Sequence, residues 1–385
     1  MNFILTQEER EFQKMMEMFA EKEVAPGAIE RDQSESFDGA YEIIMNKMGP
    51  MGLLGLTMPV EYGGQGKSNV LFSLAMMEIC RKDVSVGAAW SVCLSLGTIP
   101  ILKFGSEELK EKYLPALLKG EKLCAFGLTE LGAGSDAAMQ QTTAVLDGDE
   151  YVINGSKVYI TNAGYADTYV IIAMTDKEKG SKGGISAFVV EKDTLGFTFG
   201  EQYEKCGIHG TVQRELIFEN CRIPKENIIG KEGDGFKAAM TGIDYGRIGV
   251  ASQGVGCAWG ALDIAVKRAN EREQFGKPIA KNQAISFKLA EMATKVELAK
   301  LIVLKAADLA SQGEKFTKYA AMAKKYCTDV AQQVAADAVQ ICGGHGYLRK
   351  SEIERFYRDA KILQIYEGTN EIQDMIISGY VLSGK

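Results

Sequence analysis

Histidine is nearly absent. The 385-residue chain has two, His209 and His345, far apart in sequence. Zinc sites, His triads and His general bases are therefore not expected, and both rings read as structural. Paired cysteines are lacking too. Cys80, Cys93, Cys124, Cys206, Cys221, Cys257, Cys327 and Cys342 form no CxxC motif and no dense cluster. They read as reduced, mostly buried thiols of a cytoplasmic protein. Positive charge is not in excess: the net charge is −7, which argues against a nucleic-acid or anionic-membrane surface, since either needs a basic stripe. Met1 to Thr6 carry neither a basic n-region nor a cleavable apolar core. Val84 to Leu102 runs 19 residues without a charge. Ser85, Gly87, Ser91, Ser95, Gly97, Thr98 and Pro100 make it a costly membrane span, so a buried core helix is expected there.

What is present is an ordinary globular composition, 46% hydrophobic and 25% charged. The length exceeds one simple core, so two or three domains are expected. Residues 1–121 read as helical. Thr6-Gln7-Glu8-Glu9 is a capping box, Phe12, Met15, Met16 and Phe19 follow at helical spacing, and Pro26 stops the run. Gly66-Lys67-Ser68 imitates the end of a phosphate loop, but Glu61 stands where that motif needs glycine. Phe104 to Pro115 reads as a short charged helix. Residues 122–235 change to short β-rich runs, among them Tyr151 to Ile153, Tyr169 to Ala173 and Ile185 to Val190. Turn signals divide them at Asp147-Gly148-Asp149, Asn154-Gly155 and Gly183-Gly184, as in a small antiparallel sandwich or barrel. Residues 236–385 return to the helical period. Ile285, Leu289, Met292, Val296, Ala299 and Val303 make one apolar stripe, as in an antiparallel bundle. The fold class is thus α+β, in the order helices, sheet, helical bundle.

Several stretches could carry chemistry. In Tyr366-Glu367-Gly368-Thr369-Asn370-Glu371, turn residues follow an acid between apolar runs. That puts Glu367 on an exposed bend, where a carboxylate could serve as a base or merely cap the helix beginning near Thr369. Phe126 to Asp136 is crowded with small residues and carries hydroxyls at Thr129 and Ser135; such bare backbone lets a flat or phosphorylated ligand approach. Tyr159-Ile160-Thr161 ends a strand. Arg272 to Pro278 and Gln340 to Tyr347 end helices on Arg or glycines, which suits pyrophosphate.

Taken together, in this order, these motifs resemble the acyl-CoA dehydrogenases, most closely the short-chain (butyryl-CoA) group, over essentially the whole chain. The resemblance implies an N-terminal helical domain, a central antiparallel β domain and a C-terminal four-helix bundle, assembled as a homotetramer. It implies FAD between sheet and bundle, and α,β-dehydrogenation of an acyl-CoA with electrons passed to an electron-transferring flavoprotein. In that family Glu367 matches the catalytic base. Phe126, Leu128, Thr129 and Ser135 match the loop around the flavin, and Tyr159 and Thr161 the strand end beside its ring. Arg272, Phe275, Gln283, Gln340, Gly343 and Gly344 match segments that reach a neighbouring subunit's FAD. Thr369 and Glu371 match adenosine-side contacts. Ser135, Asp244, Tyr245, Arg247 and Gly368 match the substrate set. In the family the thioester oxygen is held by a flavin ribityl hydroxyl and the backbone amide of the base residue. Three departures stand out. Leu131 replaces the usual loop proline. Gly246 stands where some relatives carry the base. Trp90 is a bulky residue expected near the acyl pocket. The same chemistry run as a 2-enoyl-CoA reductase, a branched or cyclic acyl-CoA as substrate, and a catalytically silent scaffold are the alternatives.

Overall fold

The computed structural model describes residues 4–384. Met1 to Phe3, part of the stretch read above for a leader, lie outside them. Thr6 caps α1 (Gln7–Phe19) through the expected reciprocal box. Its hydroxyl accepts from Glu9 N–H at 3.2 Å, and the Glu9 carboxylate accepts from Thr6 N–H at 2.7 Å. A π-helical turn, Ala20–Val24, carries the chain to just before Pro26. Then come α2 (Ala28–Ser34) and α3 (Asp38–Glu42). Ser68 caps α4 (Asn69–Cys80) by accepting from Leu71 N–H at 3.3 Å, which is what the phosphate-loop look-alike does here. The uncharged run forms α5 (Val84–Ser91), a π-helical turn and α6 (Thr98–Phe104). By length and composition it is long and apolar enough to cross a membrane, yet 94% of its most apolar window is buried inside the protein. The next helix, α7 (Glu107–Leu118), continues past Pro115 instead of ending there.

Eight strands follow: β1 (Cys124–Gly127), β2 (Thr143–Asp147), β3 (Glu150–Thr161), β4 (Thr168–Met174), β5 (Ile185–Glu191), β6 (Phe197–Gln202), β7 (Gln213–Pro224) and β8 (Ile228–Ile229). They form one sheet in the order β6-β7-β3-β2-β4-β5-β8, with β1 also on β4. Pairing is mostly antiparallel; β1 and β2 run parallel to β4. Asp147-Gly148-Asp149 turns β2 into β3. Asn154-Gly155 is not a turn. It lies inside β3 as a bulge, where the register against β7 shifts between Ile153 and Gly155. Gly155 has φ 135°, which side-chain-bearing residues rarely adopt.

The C-terminal part opens on α8 (Gly235–Glu271), followed by the small hairpin β9 (Glu273–Gln274) and β10 (Lys277–Pro278). Then come α9 (Gln283–Ser311), α10 (Thr317–Cys342), α11 (Glu352–Leu363) and α12 (Asn370–Leu382). On α9 the stripe buries Met292, Val296, Ala299 and Val303, with Ile285 and Leu289 half-buried. The central helix α8 is buried along most of its length because α4, α5, α9 and α10 all pack on it. Sequence reading did not anticipate α11. Its buried Ile353, Phe356, Ala360 and Leu363 do follow the helical period, but over only about three turns.

Candidate active site

The sheet, α8 and the chain between α11 and α12 enclose a cavity of about 300 Å³. Sheet-side walls come from Phe126, Leu128, Thr129, Gly134 to Ala138 and Tyr159 to Thr161. Helix-side walls come from Val92, Leu96, Phe236, Met240, Ile243, Arg247, Tyr366 to Gly368 and Ile372.

The sheet-side loop is held by a buried ion pair. Lys157, on β3, has no solvent exposure. Its ammonium donates to Glu130 Oε1 at 2.7 Å, Gln140 Oε1 at 2.9 Å and Leu128 O at 3.1 Å. Glu130 in turn accepts from the Gln141 and Thr142 amides at 2.6 and 3.0 Å. The loop carrying Thr129 and Ser135 is therefore pinned at both ends. Burial pushes the Lys157 ammonium down to about 8, against the pull of Glu130. Burial also opposes the charge on Glu130, but Lys157 and the amides carry its carboxyl below the usual range. At the end of β3, Tyr159 (φ 62°) and Asn162 (φ 67°) take left-handed backbone. Asn162 Nδ2 holds that bend by donating to Ala89 O and Cys124 O, both at 3.1 Å.

Glu367 sits on a bend, as expected, but its carboxylate is not in solvent. The residue is half-buried by surface area, while Oε2 is sealed from solvent and lacks any hydrogen-bond partner. Its backbone is left-handed (φ 54°), as is that of Gly368 (φ 92°). Thr369 caps α12 by accepting from Ile372 N–H at 3.4 Å, and Gln373 Nε2 donates to Gly368 O at 2.8 Å. Burial pushes the Glu367 carboxyl up to about 8, against the opposing pull of Arg247 and Lys324. A carboxyl on a cavity wall, with one buried oxygen unpartnered and a raised pKa, is suited to exchange protons. Gly246 leaves room for it: a Cβ there would lie 1.9 Å from Glu367 Oε2.

The fold brings together Phe126, Leu128, Thr129, Ser135, Tyr159, Thr161, Arg247, Glu367 and Gly368 on one cavity. Asp244 and Tyr245 lie outside its wall. Asp244 accepts from Arg247 at 2.6 Å and from Thr317 Oγ1 at 2.7 Å, and Tyr245 packs edge-on to Phe316. Arg272, Phe275, Gln283, Gln340, Gly343 and Gly344 are all exposed, away from the cavity, Phe275 by 98%. Thr369 and Glu371 stand just past the bend, Glu371 exposed in the first turn of α12. Trp90 is nowhere on the cavity wall. It is fully buried, donates to Leu53 O at 3.1 Å and packs on Phe72, so it does not narrow an acyl site. Lys157 and Lys324 were missed from sequence, because an isolated lysine in a helix or strand gives no sign of burial. His209 is structural, its ring nitrogens meeting Asp32 O at 3.2 Å and Lys205 O at 2.7 Å.

Three family models match successive parts of the chain. They are the N-terminal domain of acyl-CoA dehydrogenases over residues 6–121, the middle domain over 125–221 and the C-terminal domain over 233–382. An acyl-CoA dehydrogenase of Bacillus subtilis is 50% identical, across 99% of both chains. An acryloyl-CoA reductase (NADH) of Anaerotignum propionicum is 45% identical, across 99% of this chain and 96% of that one. Among solved structures, butyryl-CoA dehydrogenase from Megasphaera elsdenii superposes with a TM-score of 0.95 at 45% identity, covering 99% and 100% of the two chains. A chain solved in work on the electron transferring flavoprotein of Acidaminococcus fermentans and flavin-based electron bifurcation gives 0.96 at 48% identity, with the same coverage. A raised, unpartnered carboxylate between sheet and bundle thus sits in a chain matched from end to end, and the chain belongs to the acyl-CoA dehydrogenase family.

Proposed function

We propose that Glu367 removes the α-proton of a short-chain acyl-CoA whose thioester lies in the cavity between sheet and bundle. The protein is an FAD-dependent acyl-CoA dehydrogenase that forms the trans-2-enoyl-CoA, and an electron-transferring flavoprotein takes the two electrons. The observation that carries the role of Glu367 is a carboxyl on the cavity wall whose buried Oε2 has no hydrogen-bond partner.

The residues present fit a flavin. Phe126, Leu128 and Ile160 offer apolar wall, and Thr129, Ser135 and Thr161 offer hydroxyls at its edge. A Cβ at Gly132 or Gly134 would meet nothing within 4 Å, so that backbone is open to a close ligand. Phe126, Leu128, Thr129, Ser135, Tyr159 and Thr161 would hold the ring side, and Thr369 and Glu371 the adenosine side. When bound, FAD supplies the acceptor for the β-hydride. The protein's own part is to place a base. A carboxyl whose pKa is raised toward 8 is ionised in part at neutral pH and strong enough to take a proton α to a thioester. The Glu367 amide is the chain's donor to the thioester oxygen; one such oriented donor is worth about 3 kcal/mol. Arg247 and Gly368 line the same wall, for the acyl-CoA; Ser135 on that wall and Asp244 and Tyr245 beyond it would serve its pantetheine and nucleotide arms.

A homotetramer is supported by large apolar side chains left exposed on the C-terminal half, including Phe275, Phe287, Tyr347 and Leu382. Arg272, Phe275, Gln283, Gln340, Gly343 and Gly344 then serve a neighbouring subunit's FAD. Eight free thiols, seven of them buried, support a cytoplasmic location. The reductase of Anaerotignum propionicum supports a second reading in which the same site runs as an enoyl-CoA reductase; rates in both directions with the flavoprotein partner decide between them.

The purified protein is expected to be yellow. Glu367→Gln is expected to keep FAD and acyl-CoA binding and to lose turnover by roughly 10²- to 10⁴-fold. Near-normal turnover in that variant overturns the base assignment. Bleaching of the flavin absorbance by a panel of acyl-CoAs reads out the chain length and branching accepted.

A further inference from the structure

Behind the Glu367 bend stands a buried lysine that none of the steps above uses. Lys324, on α10, has no solvent exposure. Its ammonium donates to Gly368 O at 2.8 Å and to Asn370 Oδ1 at 2.9 Å. These acceptors lie one and three residues past Glu367. Asn370 is itself anchored, donating to Thr328 Oγ1 at 3.0 Å and Asp329 Oδ1 at 2.8 Å. A buried ammonium is costly unless it is paired, so its presence calls for an anion nearby.

The charges around Lys324 come from several elements. They are Glu367 on the bend, Arg247 on α8, Asp329 on α10 itself and Glu371 on α12. Asp329 is engaged by Lys325, Gln364 and Asn370. Glu371 is exposed, and Arg247 is bound to Asp244. That leaves Glu367 as the buried anion whose Oε2 has no hydrogen bond. The cations facing Glu367 are Arg247 and Lys324.

We propose that Lys324 is a positioning residue for the reaction: it clamps Gly368 O and Asn370 so that Glu367 stays in its left-handed bend, and its charge supports the ionised carboxylate. This rests on Glu367 being the base. The clamp fixes where the carboxylate points. The charge fixes the pH at which it can accept a proton. Burial disfavours the charged form of both groups, and each charge pulls the other back toward its ionised form, so the two titrate together and not singly.

The test uses holoenzyme of Lys324→Met, Lys324→Gln and Glu367→Gln, with the pH profile of kcat/KM as the readout. Lys324→Met is expected to keep its FAD absorbance and to lose kcat on the order of 100-fold, a misplaced-base effect. The acid limb of its profile is expected to move up by on the order of one pH unit, because an opposite charge beside the carboxylate is gone. Lys324→Gln keeps a donor for Gly368 O without the charge. It should recover part of kcat while the limb stays displaced. A purely structural lysine would lower stability without moving the limb. Parent-like acid limbs in both variants overturn the proposal. If Lys324→Met does not fold, the limb of Lys324→Gln decides alone, displaced in support or unmoved against. Near-normal turnover in Glu367→Gln would instead bring down the base reading itself, whatever the lysine variants do.

Discussion

Glu367 combines two unfavourable features, a left-handed backbone (φ 54°) and a buried carboxylate without a hydrogen bond. The backbone costs about 1–2 kcal/mol for a residue with a side chain. The carboxylate adds a pH-dependent cost. Its folded pKa stands near 8 against an ordinary 4.5. Between those values the folded protein holds a proton that the unfolded chain has released. Stability from this group is therefore fully present below about 4.5 and is lost as pH rises through about 8. Glu367→Gln removes that loss. Its stability relative to the parent is expected to grow by on the order of 2 kcal/mol between about pH 5 and pH 8, discounted for the partial exposure of the residue. Thermal melts of both proteins across that range check this; a pH-independent difference contradicts it. Activity and stability thus pull against each other at one side chain.

At the scale of the element, α8 decides where the Glu367 carboxylate can stand. It passes Gly246 directly beneath the Glu367 carboxylate. In an exposed helix a Gly→Ala change would stabilise by about 1 kcal/mol. Here the new Cβ would lie 1.9 Å from Oε2 and 2.7 Å from Cδ, so the carboxylate must move. Gly246→Ala is expected to fold and bind FAD but to lose kcat on the order of 100-fold, since the proposed base, Glu367, is displaced by an ångström or more. Turnover and flavin content measured together check it; parent-like kcat would show that the bend yields without loss. The loop from Thr129 to Gln140 shows the complementary device. Its ends are set by Lys157 and Glu130, both taken out of water, so a segment rich in small residues still presents its hydroxyls in fixed places.

At the scale of the whole molecule, one buried ion network joins all three parts. Arg31 pairs with Asp83 at 2.9 Å on the N-terminal helices. Arg355 of α11 reaches Asp83 at 3.6 Å and Asp359 at 3.8 Å, and Arg358 pairs with Asp32 at 2.6 Å. From the β domain, Ile208 N–H donates to Asp359 at 2.5 Å and His209 lies 3.3 Å from Asp32. Burial pushes the Asp359 carboxyl up to about 7 although Arg355 opposes it. Removing one partner from such a network leaves buried charge uncompensated, which costs about 3–5 kcal/mol. Arg355→Leu is expected to keep kcat at room temperature and to inactivate much faster on heating. Inactivation half-lives are the proper measure, since a chain of several domains need not unfold reversibly. A half-life equal to the parent's would mean that the network relaxes without loss.

Periodicity and local chemistry were enough to show the helix–sheet–helix order, the capping box at Thr6, the buried run from Val84 and the stripe on α9. Each depends on neighbours in the chain, which the sequence displays directly. The same holds for the bend at Glu367, where Gly368 and Thr369 follow the acid. Other features had no local signature. Asn154-Gly155 has the letters of a turn, yet β7 on one side and β2 on the other keep it within a strand. Trp90 was misplaced because packing on Leu53 and Phe72, distant in sequence, decided its place. Only the tertiary structure turned the Glu367 carboxylate inward, brought Gly246 beneath it and set Lys324 behind it. Those three positions lie on separate elements, and burial, which raises one pKa and lowers the other, is created by the segments that cover a group rather than by the residue itself.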